Sequence, residues 1–286
     1  MNTMQPSPFQ TACSYGRTYR GPVTTAIFDW AGTVLDFGCM APVDAFRQCF
    51  ASAGVPISEA EARAPMGAAK REHIVAILRM PDVQLRWSAR HGAQSNEGDV
   101  DALYAEFLRV DERNVARYSD LIPGALDSLA ALRARGIRIG STTGYPREVM
   151  NNLLPIASDK GYCPDHCCTL SEVSRGRPFP DMCLDNALAL GAPDVRACVV
   201  VDDSPTGLES GLAAGMWTVG IAASGNEVGL SLTDWQSLDD DGRRTRIEPA
   251  RQRLARSGAH YVIDSIADLL PVIDAIEMRL AAGENA

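Results

Sequence analysis

Thr24-Thr25-Ala26-Ile27-Phe28-Asp29-Trp30-Ala31-Gly32-Thr33 is the stretch on which the fold turns. Its first five residues are apolar or β-branched, the composition of a buried strand. Asp29 stands at the end of that strand, and Gly32 marks a turn just beyond it. A carboxylate delivered by a strand into a glycine-containing turn can attack an electrophilic phosphorus. It can also serve as an oxygen ligand for a divalent cation.

Outward from this strand, the pattern from Arg117 onward alternates. Pro123–Arg135, Pro146–Leu154, Phe179–Leu190, Thr206–Ala214 and Ser265–Ala281 read as helices. Ile137–Thr142, Asp165–Leu170, Ala197–Val201, Trp217–Ile221 and His260–Ile263 read as strands. Ala197-Cys-Val-Val-Val201 is nearly all apolar, as strands covered on both faces are. The expected fold class is α/β, a doubly wound parallel sheet. Between the first strand and this run, residues 39–116 show helical patterns only, over Ala41–Ala53, Ser58–Ala64, Gly67–Leu78 and Asp99–Val115. The expected organisation is a disordered extension over 1–22, a core of 23–38 and 117–286, and an inserted helical domain of 39–116. Residues 226–256 read as a polar, helix-containing excursion.

The chain has 286 residues, 46% hydrophobic and 22% charged, enough for a sizeable core. A net charge of −9 without a long basic run argues against nucleic-acid binding. No apolar run reaches the roughly 20 residues of a membrane span. Residues 1–22 lack the apolar middle of a signal peptide, so a cytoplasmic location is expected. Eight scattered cysteines read as reduced thiols. Cys163-Pro-Asp-His-Cys-Cys168 reads as part of a strand, since no second Cys/His pair follows at zinc-site spacing. Of 27 basic residues only Lys70 and Lys160 are lysines. Where arginine has displaced lysine so widely, a remaining lysine can be one whose deprotonated amine is needed, because arginine stays charged. Lys160 lies in Ser158-Asp-Lys-Gly161, a solvated turn; Lys70 opens a helix.

Three further segments carry candidate chemistry. Gly140-Ser-Thr-Thr-Gly144 ends a strand, and its hydroxyls and N–H groups can hold phosphoryl oxygens. Gly176-Arg177-Pro178 offers a cation. Val199-Val-Val-Asp-Asp-Ser204 is a buried strand ending in two carboxylates, whose burial calls for a cation. In order and spacing these segments resemble the motifs of the haloacid dehalogenase (HAD) superfamily, phosphotransferases with an all-helical cap inserted after the first strand. In that pattern the second acid of Asp-x-Asp-Gly-Thr protonates an oxygen leaving group; here the position is Ala31. Many relatives also carry an acid where this chain has Gly207.

Ala64-Pro-Met-Gly-Ala-Ala-Lys70-Arg-Glu-His73 narrows the resemblance. It is similar to the cap motif Met-Gly-x-x-Lys-x-x-His of the phosphonoacetaldehyde hydrolase (phosphonatase) family. Asp-Trp-Ala-Gly-Thr at 29–33, Phe37-Gly38-Cys39, Ser141-Thr-Thr-Gly-Tyr145, Gly176-Arg-Pro178, Ala213-Ala-Gly-Met-Trp-Thr-Val-Gly220 and Gly258-Ala-His-Tyr261 match the same family. The resemblance implies a Mg²⁺-dependent hydrolase that cleaves the carbon–phosphorus bond of a small-molecule phosphonate. Lys70 would form a Schiff base with the aldehyde and Asp29 would be the nucleophile. Asp29, Asp203 and the Ala31 carbonyl would hold Mg²⁺, with Asp202 a possible neighbour. Cys39, Met66, Gly67, His73, Thr142, Thr143, Gly144, Tyr145 and Arg177 would shape the substrate site. The family also implies a homodimer formed through the cap. A phosphatase or phosphomutase acting on a phosphate ester is the rival reading, with Ala31 against it. A plain packing role remains open for His73, as does a solvated helix position for Lys70.

Overall fold

The computed structural model describes residues 18–286; for residues 1–17, the extension expected over 1–22 lies outside the described residues. Strands β1 (Thr25–Phe28), β2 (Arg138–Thr143), β3 (His166–Thr169), β4 (Cys198–Asp202), β5 (Trp217–Ile221) and β6 (Tyr261–Ile263) form one parallel sheet. Their order is β3-β2-β1-β4-β5-β6. The chain leaves β1 in one direction to β2 and returns on its other side as β4. The crevice at the carboxyl ends of β1 and β4 is therefore the topological switch point where such sheets bind ligands.

The alternation of the strands sorts their side chains onto two faces. Ala26, Phe28, Ile139, Val199 and Val201 point into one core, closed by helices α6 (Ala125–Ala134), α7 (Arg147–Asp159) and α12 (Leu269–Ala282). Ile27, Cys198 and Val200 point the other way, onto Cys183 and Ala187 of α8 (Asp181–Ala189) and onto Met216. Helix α9 (Pro205–Ala213) follows β4, and α10 (Leu232–Ser237) and α11 (Asp240–Arg256) occupy the polar excursion.

The segment after β1 is helical throughout, as expected: α1 (Met40–Ser52), α2 (Glu59–Arg63), α3 (Lys70–Leu78), α4 (Pro81–His91) and α5 (Glu97–Arg117). It has its own apolar core, including Phe46, Phe50, Ile74, Ile77, Val83, Trp87, Leu103 and Phe107. Helix α4 is absent from the sequence reading. Only Val83 and Trp87 of its residues are buried, so its apolar stripe is one pair wide. Its signals are terminal instead: Pro81 in the first turn, Arg90 and His91 in the last, and Gly92 in the left-handed conformation at the end.

The entrance and exit of this helical segment are tied together. The Asp36 N–H donates to the Asp120 carbonyl (3.0 Å). The Asp36 carboxylate in turn accepts the N–H groups of Met40 and Ala41, both at 2.9 Å, and so opens α1.

Candidate active site

Register places the carboxylates. Phe28 pairs with Ser141 on one side and with Val201 on the other. The next residue, Asp29, therefore lies level with Thr142 and Asp202, and its N–H donates to the Val201 carbonyl (3.0 Å). Asp29, Asp202 and Asp203 are all buried, and each offers an oxygen within 4.8 Å of the others. Arg177 is the buried cation among them. Its Nη2 donates to Asp29 Oδ1 (2.7 Å) and Thr142 Oγ1 (2.7 Å), and stands 3.0 Å from Asp202 Oδ2 as an ion pair.

The two adjacent acids are not equivalent. Asp202 Oδ1 accepts from the N–H and hydroxyl of Ser204 (2.9 and 2.7 Å), so this carboxylate is absorbed by Ser204 and Arg177. Asp203 lines the cavity in front of Asp29. Its Oδ2 accepts from the Asn226 N–H (2.8 Å) and the Cys39 thiol (3.3 Å). Burial raises the Asp203 carboxyl well above the usual range, and the Asp29 and Asp202 charges add to the effect. Burial likewise raises Asp202, to about 6, against the opposing pull of Arg177. Three carboxylates facing one guanidinium leave two negative charges uncompensated in a buried place, a donor set that fits a divalent cation bound through oxygen. Gly32, at φ +83°, makes the close packing here achievable. A Cβ there would lie 2.6 Å from both Asp203 Oδ2 and Cys39 Sγ.

The helical segment supplies the other wall. Asp29, Ala31, Cys39, Met66, Gly67, Lys70, Thr143, Gly144, Tyr145, Arg177 and Asp203 all line one cavity, joined by Pro42 and Ser204, which are not among the residues expected from the sequence. Lys70 is buried in the first turn of α3. Its Nζ stands 4.9 Å from the Tyr145 ring centroid and 5.8 Å from that of Phe46. A Cβ on Gly144 would stand 3.2 Å from the Ala68 carbonyl, so this glycine lets the chain just before Lys70 approach the end of β2 closely. Burial depresses the Lys70 ammonium, while Asp111 and then Asp29 oppose the shift. Burial pushes the Tyr145 hydroxyl and the Cys39 thiol well up, so both are protonated at neutral pH.

Two expected site residues stand back from the cavity. Thr142 lies behind Arg177 and holds it. His73 is fully buried, stacked on Phe46 at 3.9 Å between centroids, with Nε2 2.8 Å from the Ala62 carbonyl. Burial and then Lys70 drive it down to about 3, so it is a neutral ring packed behind the Lys70 turn. Lys160 donates to Ser119 and Asp120, away from the cavity.

Arg63 and Asn226, which sequence reasoning missed, bind the helical wall to the sheet. Arg63 donates to the carbonyls of Gly38 (2.7 Å) and Gly229 (2.9 Å) and to Asn226 Oδ1 (3.3 Å), and Asn226 reaches Asp203.

Comparison with known proteins identifies the family to which this fold belongs. Residues 23–215 match the family of haloacid dehalogenase-like hydrolases. Phosphonoacetaldehyde hydrolase of Hahella chejuensis is 48% identical over 272 residues, 95% of this chain and 92% of that protein. The chain belongs to the phosphonoacetaldehyde hydrolase family. A second member, from Salmonella paratyphi A, is 47% identical over 92% of this chain and 98% of its own length. A crystal structure of a phosphonoacetaldehyde hydrolase-like protein from Oleispira antarctica superposes with a TM-score of 0.94 at 45% identity, covering 96% of this chain and 100% of that one. β-Phosphoglucomutase from Clostridium difficile, at 18% identity and a TM-score of 0.64, shares the fold. No helix among the described residues is long and apolar enough to cross a membrane.

Proposed function

We propose that this chain hydrolyses phosphonoacetaldehyde to acetaldehyde and phosphate through an imine on Lys70 and an aspartyl-phosphate on Asp29. One observation carries the route. Among the described residues, Lys70 is the one lysine lining the cavity that Asp29 also lines, its amine over the Tyr145 ring, in a chain whose usual acid position is Ala31. A phosphorus–carbon bond beside an aldehyde resists cleavage because the departing carbanion is poor. Condensation of the Lys70 amine with the aldehyde releases water and leaves a protonated imine. Asp29 then attacks phosphorus, the bond to carbon breaks, and its electron pair moves into the imine to give an enamine. No leaving oxygen needs a proton, so an acid at position 31 has no task. Protonation of the enamine carbon and hydrolysis of the resulting imine free acetaldehyde and Lys70. Water hydrolyses the aspartyl-phosphate.

Arg177 holds Asp29 Oδ1 and leaves the other oxygen for attack. Thr143 and Gly144 line the same cavity and would hold phosphoryl oxygens. Asp29, Asp203 and the Ala31 carbonyl would hold Mg²⁺, with Asp202 keeping Arg177 and Ser204 in place. Mg²⁺ when bound supplies the positive charge that these carboxylates and the transferring phosphoryl group lack. Residues 39–116 act as a cap that shields the imine from water. A cytoplasmic location and a homodimer formed through the cap complete the reading.

The test is release of acetaldehyde and phosphate from phosphonoacetaldehyde with Mg²⁺, by the chain and by Lys70→Arg. The variant keeps the charge but cannot form the imine, so its turnover is expected to be lost. Borohydride added with substrate should trap an adduct on Lys70. Normal turnover by Lys70→Arg, or an adduct on Lys160, would refute the route. Phosphate-ester hydrolysis that survives loss of Lys70 would favour the phosphatase reading.

A further inference from the structure

Asp111 is a buried acid that the reaction scheme leaves unused. It lies on the inner face of α5, is fully inaccessible, and neither carboxylate oxygen has a hydrogen-bond partner. A buried carboxylate without a partner is costly, so its surroundings need an account. Phe107, one helical turn earlier on the same face, stacks on Phe46 at 4.5 Å between centroids, and Phe46 is the ring beneath Lys70 Nζ. Asp111 therefore sits one turn along the wall against which Lys70 packs. Among the carboxylates acting on the Lys70 ammonium it is the strongest, ahead of Asp29, and the cation acting on Asp111 is Lys70.

We propose that Asp111 is the proton partner of Lys70 in imine formation. Lys70 Nζ stands beyond ion-pair distance of Asp111, so the transfer runs through one water bridging to the unpartnered carboxylate oxygens: along it the carboxylate takes one proton from the Lys70 ammonium, and the free amine adds to the aldehyde to give a carbinolamine. The Asp111 carboxylic acid then returns that proton to the carbinolamine hydroxyl. The hydroxyl leaves as water, the nitrogen lone pair forms the protonated imine, and Asp111 is a carboxylate again. The proton is borrowed and returned, so no other reactant is needed. Burial brings the Asp111 carboxyl up to about 7, while Lys70 holds it down, so the acid can both accept and release a proton near neutrality. No donor among the described residues lies within hydrogen-bond distance of either oxygen, so no other side chain claims that proton. The inference rests on the imine route proposed above.

The test compares the Mg²⁺-loaded chain with Asp111→Asn and Asp111→Leu. Each is mixed with saturating phosphonoacetaldehyde and quenched with borohydride at increasing times, and the Lys70 adduct is counted by mass spectrometry. Adduct formation should slow by about 10²-fold or more, the usual worth of a positioned proton carrier. kcat should fall with it, while KM, the affinity for inorganic phosphate and the melting temperature should hold. Removing an unpaired buried charge favours the fold, so both variants are expected to remain folded. Adduct formation within about threefold of the parent chain in either folded variant would overturn the role of Asp111 and leave the imine route standing. A lowered melting temperature together with weakened phosphate binding in both variants would assign Asp111 to the scaffold and also overturn it. Failure of the parent chain to give any Lys70 adduct would remove the imine route itself.

Discussion

Gly67→Ala is a one-methyl perturbation that separates the helical wall from the sheet. Gly67 has φ +93°, and a Cβ there would stand 2.2 Å from Thr206 Oγ1 and 2.8 Å from Ser204 Oγ. The left-handed backbone alone costs a non-glycine residue about 1–2 kcal/mol. Ordinary contact between such atoms begins near 3.5 Å, so relief of the closer contact needs a shift of roughly 1 Å. Ser204 cannot give way freely, because it is buried and its hydroxyl donates to Asp202 Oδ1 (2.7 Å). The yielding part is then the segment carrying Met66 and Lys70. Misplacement by about 1 Å costs on the order of 10²-fold in rate, or about 2.7 kcal/mol of barrier. The assay is kcat/KM for acetaldehyde release from phosphonoacetaldehyde. Gly67→Ala combined with Thr206→Ala, which removes the nearer atom, should recover part of the loss. Activity of Gly67→Ala within about threefold of the parent chain would refute the reasoning, as would a loss that Thr206→Ala does not touch.

Ala31→Asp should lower kcat/KM on the phosphonate by at least about tenfold, because a carboxylate beside Asp29 and Asp203 raises their pKa values and competes for the cation. A large gain instead would show that leaving-group protonation limits the reaction. Excess chelator should abolish turnover, and adding Mg²⁺ should raise the melting temperature. Because burial raises Asp202 and Asp203 toward protonation, protons compete with the metal, and the melting shift should be larger at pH 8 than at pH 5.5; equal shifts would contradict the assignment. His73, held down to about 3, should show no ring titration by NMR between pH 5 and 8. Its folded pKa lies below the unfolded value near 6.5, so its stabilising contribution is full above that value and is lost as pH falls toward 3, by up to about 1.4 kcal/mol per unit. A midpoint near 6.5 in the folded chain would refute its burial as a neutral ring.

The sheet was legible because buried parallel strands are near-continuous apolar runs, and Ala197–Val201 and Trp217–Ile221 could hardly be anything else. The cavity lining was legible because its chemistry sits at strand ends and at a helix start, where sequence order alone brings residues together. What escaped detection depends on contacts between distant segments. Arg63 and Asn226 are 163 positions apart, and neither carries a local signal of the other. Asp111 reads as one more polar residue within a helix of alternating charge. Only the packing of α5 on α1 shows that it faces inward. His73 shares a helix face with Lys70, as its spacing of three requires, but the turn of α3 that aims the lysine at the cavity leaves the histidine behind it, on Phe46.

The departure at Gly207 has a steric cause that bears on the metal. A Cβ at 207 would stand 1.9 Å from Asp202 Oδ2 and 2.3 Å from Oδ1. No side chain, least of all a second carboxylate, fits at that position while Asp202 keeps its bonds to Ser204 and its ion pair with Arg177. An acid there would also add a further negative charge to a buried group that already exceeds its cation. Glycine lets the start of α9 close over Asp202, and this fixes Arg177 between Asp202 and Asp29. The space at 207 is thus taken by the Asp202 carboxylate, which pairs with the guanidinium that also holds Asp29. Asp203, held by Asn226 and Cys39, is the acid of the strand end that remains facing the cavity. The lean acid set and Ala31 point the same way. A reaction whose leaving group departs into an imine needs charge to neutralise phosphorus and align Asp29, and needs no acid to protonate an oxygen.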